Sequence, residues 1–129
     1  MKTLHILHSE AAPGWGGQEI RVFQECQLLL ERGHRVSLVC QPDSPLGNKC
    51  SRFSHRNLSY FPLTMKRAFS LSALFSLIKI IKRSRPDILH SHSSIDSWLI
   101  AMAGTLLGIP IIRSRHVMIP IRNHIFNRW

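Results

Sequence analysis

Apolar and polar positions along the chain fall into short extended runs separated by longer stretches with helical spacing. Residues 2–8 carry Leu4, Ile6 and Leu7 in a strand-like run, and the small-residue stretch S-E-A-A-P-G-W-G-G over 9–17 reads as a loop. Over 18–32, Val22, Phe23, Cys26, Leu29 and Leu30 recur at i, i+1, i+4, i+7 and i+8, with Arg21, Gln24, Glu25, Glu31 and Arg32 off that stripe. This predicts an amphipathic helix closed by Gly33. Residues 35–41 predict a second strand, 42–56 a loop from their Pro, Asp, Ser, Gly and Asn content, and 57–63 a short third strand. A second helix is predicted over 66–85, with Leu71, Leu74, Phe75, Ile78 and Ile81 on one face and Ser72, Ser76, Lys79 and Arg83 on the other. Pro86 ends it, because proline lacks an N–H and restricts the residue before it.

The stretch 86–98, P-D-I-L-H-S-H-S-S-I-D-S-W, then reads as a short buried strand that ends in two histidines and turns into a helix. The period of two puts His90 and His92 on one face, with His90 the deeper of the two, while Ser93, Ser94 and Asp96 favour a turn and cap the helix over 94–107. Gly108 closes that helix, and a last strand follows over 110–115. Strands alternating with helices in this way predict an α/β fold with a doubly wound, Rossmann-like parallel sheet. In such sheets ligands sit beyond the carboxyl ends of the strands where strand order reverses. With an order of 3-2-1-4-5, that crevice lies between the first and fourth strands, and it brings the loop Gly14-Trp15-Gly16-Gly17 opposite His90, His92 and Asp96.

Composition narrows the class. The chain has 129 residues, 44% of them hydrophobic, about the size of one soluble domain. Seventeen Lys and Arg against seven Asp and Glu give a formal charge of +10, so an acidic partner is expected: nucleic acid, anionic lipid or a phosphorylated sugar. Cys26, Cys40 and Cys50 are unevenly spaced and form no C-x-x-C pair, which argues against a disulfide framework and a zinc knuckle. There is no signal-peptide pattern at the start and no run of about 18 apolar residues, so a cytoplasmic chain is expected. Residues 119–129 stop on an aromatic without a turn or polar tail, the look of an incomplete domain.

Each chemical feature has a competing structural explanation. The glycines either let backbone N–H groups and a helix end approach a phosphate, or only supply tight turns and close packing. They do not make a nicotinamide fingerprint, since Glu19 stands where G-x-G-x-x-G needs its last glycine, and no G-x-x-x-x-G-K-[ST] is present. The H-x-H pair with Asp96 suggests a metal-dependent hydrolase, but Ser94 and Ile95 stand where H-x-H-x-D-H needs Asp and His. The helix over 66–85, with Lys66, Arg67, Lys79, Lys82, Arg83 and Arg85, is either a solvated crossover helix or a contact with an anionic membrane surface. Arg113, Arg115 and His116 either bind an anionic substrate or merely charge a strand end. A nucleic-acid module is disfavoured, because no reading motif occurs and aromatics are only 8% with no stacking cluster.

Taken in order, G-W-G-G-Q-E at 14–19, E-R-G-H-R-V at 31–36, the stretch 86–98 and R-S-R-H at 113–116 make the chain resemble the N-terminal half of a family 4 glycosyltransferase of the GT-B fold. The resemblance implies a retaining sugar transfer from a nucleotide-sugar donor, with no cofactor or required metal, in a cleft between two Rossmann-like domains. It makes 1–129 the acceptor-side domain and places most donor contacts on a second domain, which, with its E-x-x-x-x-x-x-x-E motif, this chain lacks. Gly16 and Gly17 match the glycine loop near the donor diphosphate, and His92 matches the histidine at the reacting sugar. Glu19, Asp96, Arg115 and His116 are the further candidates for substrate binding. The expected acceptor is an anionic glycan or glycolipid of the cell-envelope or lipopolysaccharide type, with 66–85 as a peripheral membrane contact and no nucleic-acid partner.

Overall fold

The computed structural model describes residues 2–53, 55–67 and 70–114. In chain order the elements are β1 (His5–Glu10), α1 (Gly17–Glu31), β2 (Arg35–Cys40), α2 (Pro45–Arg52), β3 (Leu58–Pro62), α3 (Leu71–Ser84), β4 (Ile88–Ser91), α4 (Ser94–Leu107) and β5 (Ile111–Arg113). The five strands form one sheet in the order β3-β2-β1-β4-β5. All pairs are parallel; β1 pairs with β2 from His5↔Arg35 to Glu10↔Cys40 and with β4 from Ile6↔Ile88 to Ser9↔Ser91. The expected α/β doubly wound sheet is therefore the fold, with the first strand central and beside the fourth.

The two-residue period of the strands feeds two cores, one on each face. Leu7, Val39 and Leu89 pack with Leu74, Leu77 and Ile81 of α3 and Leu99, Ile100 and Ala103 of α4. On the other face Val36, Leu38 and Cys40 pack with Val22, Phe23, Cys26 and Leu30 of α1 and Leu46 and Cys50 of α2. The three cysteines are free and buried, and burial raises each thiol pKa, to about 11 for Cys40 and about 12 for Cys50. They act as small core side chains.

Several boundaries differ from the pattern reading, each for a local reason. β1 continues through Ser9 and Glu10, which the pattern assigns to the loop; both are polar yet buried, because α4 and α1 supply partners for them. An eight-residue helix, α2, replaces the middle of the loop expected over 42–56. Ser44 starts it, its Oγ accepting a bond from Gly47 N at 3.1 Å, and Pro45 occupies the first turn, where a missing N–H costs nothing. Helix α3 begins at Leu71, not at 66, because Ser70 caps it with its Oγ accepting from Ala73 N at 3.3 Å. Lys66 and Arg67 therefore precede the helix. Its buried face is also rotated from the expected one: Ala73, Leu74, Leu77 and Ile81 point inward, while Leu71 and Phe75 are 68% and 61% exposed. At its end Arg85 takes a left-handed conformation (φ 52°), its N–H donating to Ile81 O at 2.8 Å, and Pro86 follows. β5 covers Ile111–Arg113, shorter than expected, and Arg115, His116 and the run 119–129 lie outside the described residues.

Candidate functional site

Strand order reverses between β1 and β4: from β1 the chain winds toward β2 and β3, and from β4 it winds toward β5. Beyond the carboxyl ends of these two strands lie the starts of α1, capped at Gly16, and of α4, capped at Ser93. Two buried carboxylates hold the connecting segments. Glu10 accepts from Ala12 N at 2.9 Å and from Gln18 Nε2, which lies 2.8 Å from each of its oxygens. Asp96 accepts from Ser9 Oγ (2.6 Å), Ala11 N (3.1 Å), His92 N (3.0 Å), Ser93 N (3.1 Å) and the Ser93 hydroxyl. Its carboxylate thus ties the end of β1 to the β4–α4 turn. Gln41 adds a third tether, donating from Nε2 to Ala11 O at 2.9 Å.

The glycine loop is then left open. Gly16 N donates to Glu19 Oε2 at 2.7 Å, which fixes the first turn of α1. A Cβ added at Gly14 or Gly17 would meet nothing within 4 Å, and at Gly16 only Glu19 Oε2 at 3.5 Å. None of the three has a positive φ; only Gly33 and Gly108 do. Tight turning and close packing thus fail to account for these glycines, and what remains is an exposed backbone at a helix start. Lys49 of α2 adds a cation there, with its Nζ 4.9 Å from the centre of the Trp15 ring.

Three histidines stack on the α1 face of the sheet, on β1, on β4 and just past the end of β4. The β1–β4 register sets His8 against His90, with ring centres 4.9 Å apart, and His92 stacks on His90 at 4.2 Å. His8 Nδ1 and His92 Nε2 lie 2.8 Å apart in a hydrogen bond, and His90 Nε2 lies 2.5 Å from Ser114 Oγ. The order of burial corrects the sequence expectation: His92 is only 2% exposed, whereas His90 keeps partial exposure. The reason is that His92, just past the strand, folds back over His8 and its backbone N–H is held by Asp96.

Burial governs the electrostatics. The His8 pKa falls to about 3, first through desolvation and then through the charge of His90, so the ring is neutral. Glu10 is pushed up to about 7, chiefly by burial and next by Asp96. Asp96 is raised by burial, against the opposing hydrogen bonds from Ser9, Ser93, His92 and Ala11. Of the sequence candidates, the fold brings together Gly16, Gly17, Glu19, His92 and Asp96 at or beside one strand-end crevice. His8, Glu10 and Gln18 were missed. Their signal was available: His8 sits at the strand position that parallel pairing sets beside His90, and Glu10 is a carboxylate directly before the loop.

A match to Glycosyltransferase Family 4 spans residues 15–129. The chain belongs to glycosyltransferase family 4. It is 30% identical over 120 residues to an Escherichia coli UDP-Gal:alpha-D-GlcNAc-diphosphoundecaprenol alpha-1,3-galactosyltransferase, covering 87% of this chain and 30% of that protein. It is 33% identical over 93 residues to a subunit of the human phosphatidylinositol N-acetylglucosaminyltransferase, covering 66% of this chain and 19% of that protein. The chain thus spans less than a third of the length of either relative. A glycosyltransferase from Rickettsia africae superposes with a TM-score of 0.77 at 17% identity, over 95% of this chain and 32% of that one, a likeness of fold. The family 4 match begins inside the glycine loop and takes in His90, His92 and Asp96, while β1 with His8 and Glu10 lies before it.

Proposed function

We propose that this chain is the acceptor-side domain of a retaining glycosyltransferase that moves a sugar from a nucleotide donor to a lipid-linked glycan of the cell envelope. The observation that carries the proposal is the open glycine loop at the switch point of a family 4 domain, where neither backbone conformation nor packing explains the glycines. Both relatives have a lipid in their names, diphosphoundecaprenol in one and phosphatidylinositol in the other, and the first names a UDP-sugar.

In this reading Gly16 and Gly17 lie against the donor diphosphate, whose charge the α1 helix start and Lys49 favour. The anomeric carbon leaves the diphosphate oxygen and bonds to the acceptor oxygen, while the acceptor proton passes to the departing diphosphate. Positive charge builds on the sugar ring in between. The stack of His8, His90 and His92 is the preorganised group beside that ring, with His90 the more open member and His92 the one that orients it. Glu19 and Asp96 fix the two loops, and Arg115 and His116 serve the anionic substrate. The transfer step as proposed needs no metal ion, and most donor contacts belong to a second domain.

Helix α3 supplies the membrane side of the proposal. Leu71 and Phe75 are exposed one turn apart, and Lys79 and Lys82 continue the same stripe. An apolar pair followed by cations suits the surface of an anionic bilayer, where a lipid-linked acceptor resides. Among the described residues no helix is long and apolar enough to cross a membrane.

The test is sugar transfer by the intact protein from UDP-sugars to a polyprenyl-diphosphate-linked acceptor. His92→Ala is expected to lower kcat about a hundredfold, roughly 2.7 kcal/mol, with a smaller change in KM for the donor. A folded His92→Ala protein with unchanged kcat contradicts the assignment.

A further inference from the structure

We propose that His8, His90, His92 and Glu25 form a binding site for one divalent transition-metal ion of the zinc class. The site follows from three independent placements. Parallel register sets His8 and His90 side by side, the turn after β4 returns His92 onto them, and α1 packs on the same face with Glu25 directed at the cluster. One ligand atom from each of the four residues lies within 4.8 Å of the other three. A tetrahedral ion with bonds of about 2.0–2.1 Å needs its ligands roughly 3.4 Å apart, so side-chain shifts of about an ångström close the shell.

The chemistry of the set is three imidazoles and one carboxylate, a donor combination suited to Zn²⁺ and Co²⁺ and poorly suited to the oxygen-seeking Mg²⁺ and Ca²⁺. His8 points to a ligand on its own account. It is 1% exposed, and its Nε2 has no hydrogen-bond partner among the described residues. Buried polar atoms left in this condition are rare in folded proteins and call for an ion or a water. The carboxylate of Glu25 offsets part of the ion's charge, and the coordinated ion would clamp α1 to the centre of the sheet. The metal would engage His8, His90 and His92, all three members of the stack placed beside the reacting sugar above, so metal binding and the metal-free transfer step are competing uses of the same imidazoles. Binding itself does not depend on that reading, since it is read spectroscopically and transfer is read by turnover.

The experiment titrates the intact, chelator-stripped protein with Co²⁺ and follows the visible d–d absorption. One equivalent should bind with the intense bands of a tetrahedral site, and Zn²⁺ should displace it. Glu25→Gln and His90→Ala, both at partly exposed positions, should each weaken binding by about tenfold or more, with circular dichroism showing a retained fold. His55→Ala, remote from the cluster, should leave the affinity unchanged. Weak octahedral spectra without saturation at one equivalent overturn the proposal, and so does binding that survives both Glu25→Gln and His90→Ala.

Discussion

Two buried side chains at the end and centre of β1 give the protein opposite responses to pH. Glu10 has its pKa raised from 4.5 to about 7, so the fold favours its protonated form, and its contribution to stability is lost as pH rises from about 4.5 through about 7. His8 is lowered from 6.5 to about 3, so the fold favours its neutral form, and stability is lost as pH falls from about 6.5 toward 3. Glu10→Gln should therefore remove the loss on the alkaline side, up to about 3 kcal/mol, and leave the acid side intact. Urea denaturation of both proteins across this range checks it; an unchanged pH profile in Glu10→Gln contradicts the cause given. These residues also mark where sequence reading ran out. His92, Asp96 and the glycines were legible because turn residues and a doubled histidine stand out in a short motif. His8 and Glu10 acquire meaning only when β1 is paired with β4, a contact across more than eighty positions.

At the scale of elements, hydrophobic spacing was a good guide wherever a segment was long. Helix α1 buries Val22, Phe23, Cys26 and Leu30 as the stripe predicted, and α4 runs over the expected residues to its left-handed Gly108. It failed for α2, which has eight residues with Gly47 and Asn48 among them, poor intrinsic helix formers that only the Ser44 cap and the burial of Leu46 and Cys50 hold. It misjudged the face of α3 because nearly every turn of that helix is apolar, and contact with the sheet and α4 selected Leu77 over Phe75. The consequence is the exposed stripe: vesicles rich in phosphatidylglycerol should bind the protein, and Leu71→Glu with Phe75→Glu should abolish that binding. Equal binding by the double variant contradicts a membrane role for α3. Packing of β5 offers a separate check. A Cβ on Gly104 would lie 2.6 Å from Ile111 Cδ1 and 3.1 Å from Leu89 Cδ1, so the close approach of α4 to the sheet at this point depends on the residue being glycine. Gly104→Ala should cost about 1–3 kcal/mol in denaturant unfolding, and a neutral result would show that Ile111 yields freely.

For the whole molecule, strand and helix alternation was enough to anticipate the doubly wound sheet, because right-handed parallel crossovers leave few other topologies. The formal charge of +10 agrees with an acidic partner but chooses none. The central claim is that the glycine loop is open for a ligand and not for the protein's own packing. Gly17→Val in the intact protein separates the two, since the added side chain starts into free space. The measurement is the rate of sugar transfer by this variant, with its melting temperature as the control for folding. The account predicts a melting temperature within about 2 °C of the parent, as for surface substitutions, and transfer reduced at least about tenfold. Transfer at the parental rate by a folded Gly17→Val protein would contradict it.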